Sequence, residues 1–173
     1  VTPLLMLGGA YTYQYDLMGR VTQETAPIQS RNSAGVLINV VKQYQYDARG
    51  NLVQLTEATG LPEQRVSYYR YDGLDRQIQV SLVSQSSAGA AATSKVQETR
   101  EYDALGQLIK STDALGNITQ SWYDQLGRKE AERNTVGTLS AWTYDAAGNA
   151  ISQRIYGDTV AAGSKVAVDR SEE

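Results

Sequence analysis

The chain has 173 residues, with 16 Lys and Arg against 19 Asp and Glu, and its formal charge of −3 gives no electrostatic reason to expect nucleic acid. At 41% apolar and 20% charged residues it is expected to be a single globular domain, neither a disordered tail nor a membrane protein. It has no Cys and no His, which removes disulfides, thiol nucleophiles, His acid–base pairs and nearly all zinc, copper and iron sites, and no cofactor is expected.

The longest purely apolar stretch, Leu4 to Leu7, is far short of the ~20 residues of a bilayer span. No basic stretch precedes it, so it does not read as a signal peptide. From Tyr11 onward the chain repeats itself. Tyr-Asp occurs at Tyr15-Asp16, Tyr46-Asp47, Tyr71-Asp72, Tyr102-Asp103, Tyr123-Asp124 and Tyr144-Asp145, at intervals of 31, 25, 31, 21 and 21 residues. The base period is 21, lengthened by 10, 4 and 10. Three residues after each Asp stands Gly19, Gly50, Asp75, Gly106, Gly127 or Gly148, followed by Arg20, Asn51, Arg76, Gln107, Arg128 or Asn149. Two residues before the Tyr is Tyr13, Tyr44, Tyr69 or Trp142 in four copies, with Arg100 and Ser121 in the other two. Tyr numbers 12 and Phe none, so the aromatics carry hydroxyls that want partners.

Turn chemistry accounts for the motif. An Asp side chain accepts a hydrogen bond from the backbone N–H two residues on and pins a type I turn. The residue three later must take φ > 0 to send the chain back antiparallel, the three-residue hairpin loop with a bulge, and Gly does this without steric cost. Asp75, the exception, is among the few other residue types that tolerate the left-handed region. Weaker corners fall half a period later at Glu57-Ala-Thr-Gly60, Asp113-Ala-Leu-Gly116 and Asn134-Thr-Val-Gly137. In the first and third copies longer loops are expected instead, Pro27 to Gly35 and Ser84 to Ser94, both without aromatics.

The segments between corners read as strands. Gln77 to Leu82 alternates polar and apolar, and Val36, Ile38 and Val40 lead at the same spacing through Lys42 to Tyr44 and Tyr46. Leu52-Val53 and Leu108-Ile109 place apolar groups on both faces, as a sheet with two partly covered faces would. No helical period is sustained, and Pro27 and Pro62 fall in turns. The expected fold is all-β: an antiparallel hairpin meander of roughly a dozen strands in a strongly curved sheet. It would form one domain over residues 1–173, with six repeats over about 11–155 and a polar tail or terminal strand at 157–173.

Tyr13-Gln-Tyr15-Asp16-Leu-Met-Gly19-Arg20-Val21 and Tyr44-Gln-Tyr46-Asp47-Ala-Arg-Gly50-Asn51-Leu52 resemble the YD repeat, also called the rearrangement-hotspot (Rhs) repeat, and the resemblance covers about Tyr11 to Ile155. The fourth and fifth copies depart at the leading Tyr, and the fifth has Lys129 where an apolar residue is usual. The family includes bacterial polymorphic toxins, the B and C components of insecticidal Tc toxins, wall-associated proteins and the teneurins. The resemblance implies a sheet that spirals into a shell, which in the bacterial toxins encloses a C-terminal toxic polypeptide. It also implies secretion or display on a bacterial surface. The chain opens on Val1 without Met and is expected to be a strip of such a shell or a small relative. It has no Asp-Pro, so the aspartyl autoproteolysis of the toxin proteins is not carried over.

The expected role is therefore structural, not enzymatic, with no catalytic, cofactor or metal residues. The expected partners are flanking YD repeats, an encapsulated toxin polypeptide and, through bare edge strands, another copy of the chain. Periodic carboxylates could suggest glycosidase pairs, but the corners already explain them. Asp113 to Asn117 offers oxygen ligands for calcium without the interleaved spacing of known calcium loops. The pairs Tyr13/Tyr15, Tyr44/Tyr46 and Tyr69/Tyr71 read as cross-strand packing, and alternatively as a sugar platform of an adhesion or carbohydrate-binding module. Arg20, Arg76 and Arg128 read as partners of the corner carboxylates, and alternatively as an anion site; Asn117-Ile-Thr119 fits a glycosylation acceptor.

Overall fold

The computed structural model describes residues 9–27, 30–31, 36–61, 63–84 and 93–156. Every element among them is a strand: β1 Thr12–Tyr15, β2 Val21–Thr25, β3 Ser30–Arg31, β4 Leu37–Ile38, β5 Val41–Tyr46, β6 Leu52–Glu57, β7 Arg65–Tyr71, β8 Gln77–Ser84, β9 Thr93–Tyr102, β10 Leu108–Asp113, β11 Ile118–Tyr123, β12 Lys129–Arg133, β13 Leu139–Tyr144 and β14 Ala150–Tyr156. Twelve follow the order β1-β2-β5-β6-β7-β8-β9-β10-β11-β12-β13-β14, so the expected all-β meander is what the chain forms. The described registers are all antiparallel. The chain divides into two compact units, Val1–Val96 and Gln97–Glu173. The expected tail at 157–173 lies outside the described residues.

Three local expectations need correction. The alternating run from Val36 to Tyr46 is not one strand. Leu37 and Ile38 pair with Arg31 and Ser30 in a separate two-stranded sheet, so the loop of the first copy holds a small hairpin, while β5 starts at Val41 beside β2. The loop of the third copy is shorter than expected, because Ser84 ends β8 and Thr93 and Ser94 open β9; residues 85–92 lie outside the described residues. Glu57 does not form a corner of the Asp type. Ala58 takes φ 51° and Gly60 φ 78°, Leu61 N–H donates to Ala58 C=O at 3.0 Å, and the Gln64 side chain accepts from Gly60 N–H at 2.8 Å. The extra methylene of Glu explains this, since it does not close the short ring that Asp forms with the backbone.

In the first unit, directly opposed residues sort onto two faces. One carries Tyr44, Leu55, Ser67 and Leu82 in a row, with Tyr69 opposite Val80. The other carries Gln45, Gln54, Tyr68 and Ser81, and Gln43, Thr56, Val66 and Val83. On this second face glutamines bond to hydroxyls two residues along: Gln23 to Thr25 at 3.3 Å, Gln54 to Thr56 at 3.2 Å and Gln79 to Ser81 at 2.8 Å. Thr56 and Ser81 are buried, and each hydroxyl is bonded by the Gln two residues before it, so the buried polar groups of this face are satisfied.

The second unit builds its core differently. Ala131, Leu139 and Ala141 are buried, with Trp122 and Tyr156 packed against them. Trp122, Ala131, Ala141 and Arg154 form one row, and Arg133, Leu139 and Tyr156 the next. Small alanines make room for the indole, which stands one position after buried Ser121 and hence on the opposite face. This explains the missing leading aromatic of the fifth copy: its ring has changed faces.

Candidate functional site

The residues singled out by the repeat lie at hairpin corners. At Asp16 the backbone closes by Gly19 N–H to Asp16 C=O at 3.0 Å and Asp16 N–H to Arg20 C=O at 2.9 Å. The Asp16 carboxylate takes three donors: Oδ1 accepts Met18 N–H and Arg20 N–H, both at 2.9 Å, and Oδ2 accepts Arg20 Nε at 2.7 Å. Asp72 repeats this with Leu74 N–H, Arg76 N–H and Arg76 Nε at 2.9, 3.0 and 2.7 Å, and Asp124 with Leu126, Arg128 N–H and Arg128 Nε at 2.9, 2.9 and 2.7 Å. Where the following residue is Asn, its amide replaces the guanidinium: Asn51 to Asp47 at 3.1 Å and Asn149 to Asp145 at 2.9 Å. Asp103 accepts from Leu105 and Gln107 N–H at 2.9 and 2.8 Å. Gly19, Gly50, Gly106, Gly127 and Gly148 have φ between 78° and 96°, and Asp75 has φ 61°. Beside every one of these corners the ladder also slips by one residue on the returning strand, six after the Asp: Tyr15 pairs with Val21 and Gln14 with Gln23, which leaves Thr22 bulged.

These bonds favour the ionised carboxylates. Backbone donation by Arg20 and by Arg128 is the largest effect holding Asp16 and Asp124 below the usual range, and amide donation by Asn117 and by Asn149 is the largest at Asp113 and Asp145. At Asp47 and Asp72 desolvation pushes up, and the combined hydrogen bonds from Asn51 and Arg76 and their neighbours overcome it. A general acid for glycoside cleavage needs the opposite shift, and every corner aspartate that departs from the ordinary value departs downward.

A second layer of contacts, which sequence reasoning missed, ties corners to their successors at four joints. The Tyr46 hydroxyl donates to Val21 C=O at 2.9 Å, Tyr71 to Leu52 at 3.0 Å, Tyr123 to Leu108 at 3.0 Å and Tyr144 to Lys129 at 2.7 Å. In each case the acceptor lies five residues after the preceding corner Asp. Arg20 stands over the Tyr46 ring, 4.7 Å from its centroid, and donates to Asp47 C=O at 3.3 Å; Arg128 does the same to Tyr144 at 4.6 Å and to Asp145 C=O at 3.2 Å. Asn51 and Arg49 both reach the Asp75 carboxylate, at 2.8 and 3.2 Å. The signal available in the sequence was the use of Tyr at every such position in a chain that has no Phe.

The remaining candidates are also bound within the ladder. The Asp113 carboxylate accepts Leu115 N–H, Asn117 N–H and the Asn117 amide at 2.8, 2.9 and 2.8 Å, which engages both the proposed calcium ligand and the proposed glycan acceptor. Asp47, Arg49, Tyr69, Asp72 and Asp75 border a shallow depression, and its carboxylates are those already bound at the corners. Among the described residues no three acidic side chains gather as a metal site would need, and no helix is long and apolar enough to cross a membrane. Tyr13 and Tyr15 are exposed on β1, whereas Tyr44 is half-buried, with desolvation and then the Glu24 carboxylate raising its pKa.

Solved structures with this fold include three titled as crystal structures of TcdB2-TccC3: with TEV, with Cdc42, and without the hypervariable C-terminal region. The TM-scores are 0.65, 0.64 and 0.61 at 20%, 20% and 22% identity, over 86%, 82% and 82% of this chain. The chain spans only 7–8% of the length of those proteins. No curated protein matches it. Residues 8–157 match the family described as Teneurin YD-shell, and with that match over most of its length, on top of six Tyr-Asp corners, the chain belongs to the teneurin YD-shell family.

Proposed function

We propose that this chain is a non-catalytic strip of a YD-repeat shell. Its task is to wall off a polypeptide cargo, such as a C-terminal toxin or effector, during secretion and delivery outside the producing cell. The observation that carries this reading is the engagement of the motif side chains by the ladder itself. Corner carboxylates cap their own turns, the following Arg or Asn bonds back to them, and tyrosine hydroxyls join successive copies. Chemistry of this kind stiffens a surface and occupies the carboxylates of the described corners.

The face of the first unit carrying Gln23, Gln54 and Gln79 suits the inner side of such a wall. Its amides are neutral and paired to neighbouring hydroxyls, and beside Val66, Val83 and the Arg70 guanidinium bonded to Gln79 they leave an unfolded cargo few free polar groups to adhere to. The family match and the TcdB2-TccC3 fold support the architecture. The test is a photo-activatable residue placed at Gln54 or at Leu55, neighbours on opposite faces, within the complete polypeptide. A wall gives cross-links to sequence outside the repeats from one of these positions only. Equal labelling from both, or none from either, would refute enclosure.

A further inference from the structure

Asp72-Gly73 is the only Asp-Gly pair in the chain, and there is no Asn-Gly. The other corner aspartates are followed by Leu17, Ala48, Ala104, Ala114, Gln125 and Ala146, each with a Cβ beside its backbone N. The corner has no need of glycine at 73. The positive φ of this turn, 61°, falls on Asp75, and a Cβ at Gly73 would meet nothing within 4 Å. What Gly73 changes is reactivity: with no side chain in the way, its backbone N can approach the carboxyl carbon of the residue before it, Asp72 Cγ.

Three donors stand against that approach. Asp72 Oδ1 accepts Leu74 N–H at 2.9 Å and Arg76 N–H at 3.0 Å, and Oδ2 accepts Arg76 Nε at 2.7 Å. Turning Cγ toward Gly73 N swings the carboxylate away from all three. Desolvation pushes this carboxyl up, but the bonds from Arg76 and Leu74 outweigh it and keep the group ionised, and an ionised carboxylate has no hydroxyl to lose. The other end of Gly73 is fixed as well, since its carbonyl accepts Arg49 Nη1 of the preceding copy at 2.8 Å.

We propose that Asp72-Gly73 is a modification site, at which the backbone isomerises to isoaspartate when this corner opens and is protected while the corner is closed. The reagents are the chain and water. Gly73 N forms a bond to Asp72 Cγ, and the carboxyl hydroxyl leaves with the amide proton as water, giving a cyclic succinimide. Water then adds to either ring carbonyl. Attack at Cγ restores Asp72, whereas attack at the main-chain carbonyl routes the backbone through Cγ and leaves the carboxylate on Cα. The isoaspartate has a methylene more in its backbone and one fewer in its side chain. It no longer closes the ring to Leu74 and Arg76, a mismatch of the same size as the one that keeps Glu57 from forming such a corner. Gly73 moves with it and displaces the carbonyl that holds Arg49. Refolding does not reverse the change, so each altered chain records a local opening of the third copy. None of this depends on what the shell encloses.

The chain is held at neutral pH with and without guanidinium chloride and then digested. Isoaspartate in the peptide carrying residues 72 and 73 is counted by methyl transfer from an isoaspartyl methyltransferase and located by fragmentation in a mass spectrometer. It is expected to accumulate at least severalfold faster in denaturant than in buffer, and at Asp72 ahead of Asp103 and Asp145, which precede Ala104 and Ala146. Gly73→Ala, for which there is room, abolishes it under both conditions. Arg76→Gln removes the Nε donor and copies Gln107 of the fourth corner; it raises the rate in buffer severalfold and leaves the rate in denaturant unchanged. The isoaspartyl chain, once separated, unfolds at a lower denaturant concentration than the parent. Equal parent rates with and without denaturant, or no isoaspartate at Asp72 in either, would overturn the proposal. An Arg76→Gln rate equal to that of the parent in buffer would overturn protection by the cap, and an unchanged unfolding midpoint would overturn the loss of the corner.

Discussion

Replacing Tyr46 by Phe removes a single oxygen from the joint between the first two copies. The ring stays, and with it the Arg20 guanidinium 4.7 Å from its centroid, so packing and the cation–π contact are kept. What is lost is one hydrogen bond of 2.9 Å to Val21 C=O in a half-buried setting. A neutral intramolecular hydrogen bond contributes about 0.5–1.5 kcal/mol net, and partial access of water to the freed carbonyl places the loss near 1 kcal/mol. Tyr46→Leu removes the cation–π contact as well, adding about 0.5–1 kcal/mol before any change in packing. Urea denaturation followed by circular dichroism measures both, with Tyr13→Phe as the control, since Tyr13 is exposed on β1. The expected order of stability is parent equal to Tyr13→Phe, then Tyr46→Phe, then Tyr46→Leu. Equal midpoints for Tyr13→Phe and Tyr46→Phe would refute the idea that the tyrosine hydroxyls hold the copies together.

Gly148→Ala is expected to cost about 1–2 kcal/mol from backbone conformation alone, since φ is 88° and open space surrounds the new methyl group. Gly127→Ala should cost more, because Gln107 Nε2 lies 3.0 Å from the added carbon, and Gln107→Ala should erase the difference in chemical denaturation. Asp75→Gly trades relief of φ 61° against loss of the exposed contacts to Arg49 and Asn51, so its stability should stay within about 1 kcal/mol of the parent, while Asp75→Ala loses on both counts and melts earlier. Six corner aspartates are held below their ordinary pKa, so the unfolded chain takes up protons first and acid favours unfolding. Their contribution is complete above the ordinary value of about 3.9 and is lost as pH falls through it toward the depressed folded values. Asp145→Asn should reduce this slope in denaturation measured between about pH 5 and pH 2, and yet keep its corner, because Asn134 Oδ1 already accepts Val136 and Thr138 N–H at 3.1 and 2.9 Å.

The corners were legible because their chemistry is local. An Asp, a backbone N–H two residues on and a positive φ one residue later all fall within five consecutive positions, so residue types alone specify them. The same holds for Asn134 to Gly137, where an amide oxygen does the work of a carboxylate. Glu57 marked the limit, since similarity of charge concealed a difference of one methylene in ring closure. The tyrosine bonds between copies were not legible, because donor and acceptor are 15 to 25 residues apart and the acceptor is a backbone carbonyl, which leaves no trace in residue type. The break of the Val36 to Tyr46 run was invisible for a related reason. Period-2 alternation says which way side chains point, and says nothing about which neighbouring strand takes the backbone bonds.

The two kinds of contact meet at the residue after the corner. Arg20 uses Nε on its own Asp16 and Nη1 on the Asp47 carbonyl of the next corner, and Arg128 divides itself in the same way between Asp124 and Asp145. One side chain thus closes its own turn and fixes the distance to the following one, which makes the ladder extensible copy by copy through nearest-neighbour terms. Copy two has Asn51 in this place, and its shorter amide meets a carboxylate projecting toward it, that of Asp75 in the next corner, helped by Arg49. The departure from Gly at position 75 and the departure from Arg at position 51 are therefore one compensating pair. The acceptor lost with a shorter reach is returned by a side chain at the neighbouring turn, at the strain of a non-glycine residue with φ 61°. A corner that follows an Arg has no such need, and Asp47 and Asp145, the corners that follow Arg20 and Arg128, keep Gly50 and Gly148.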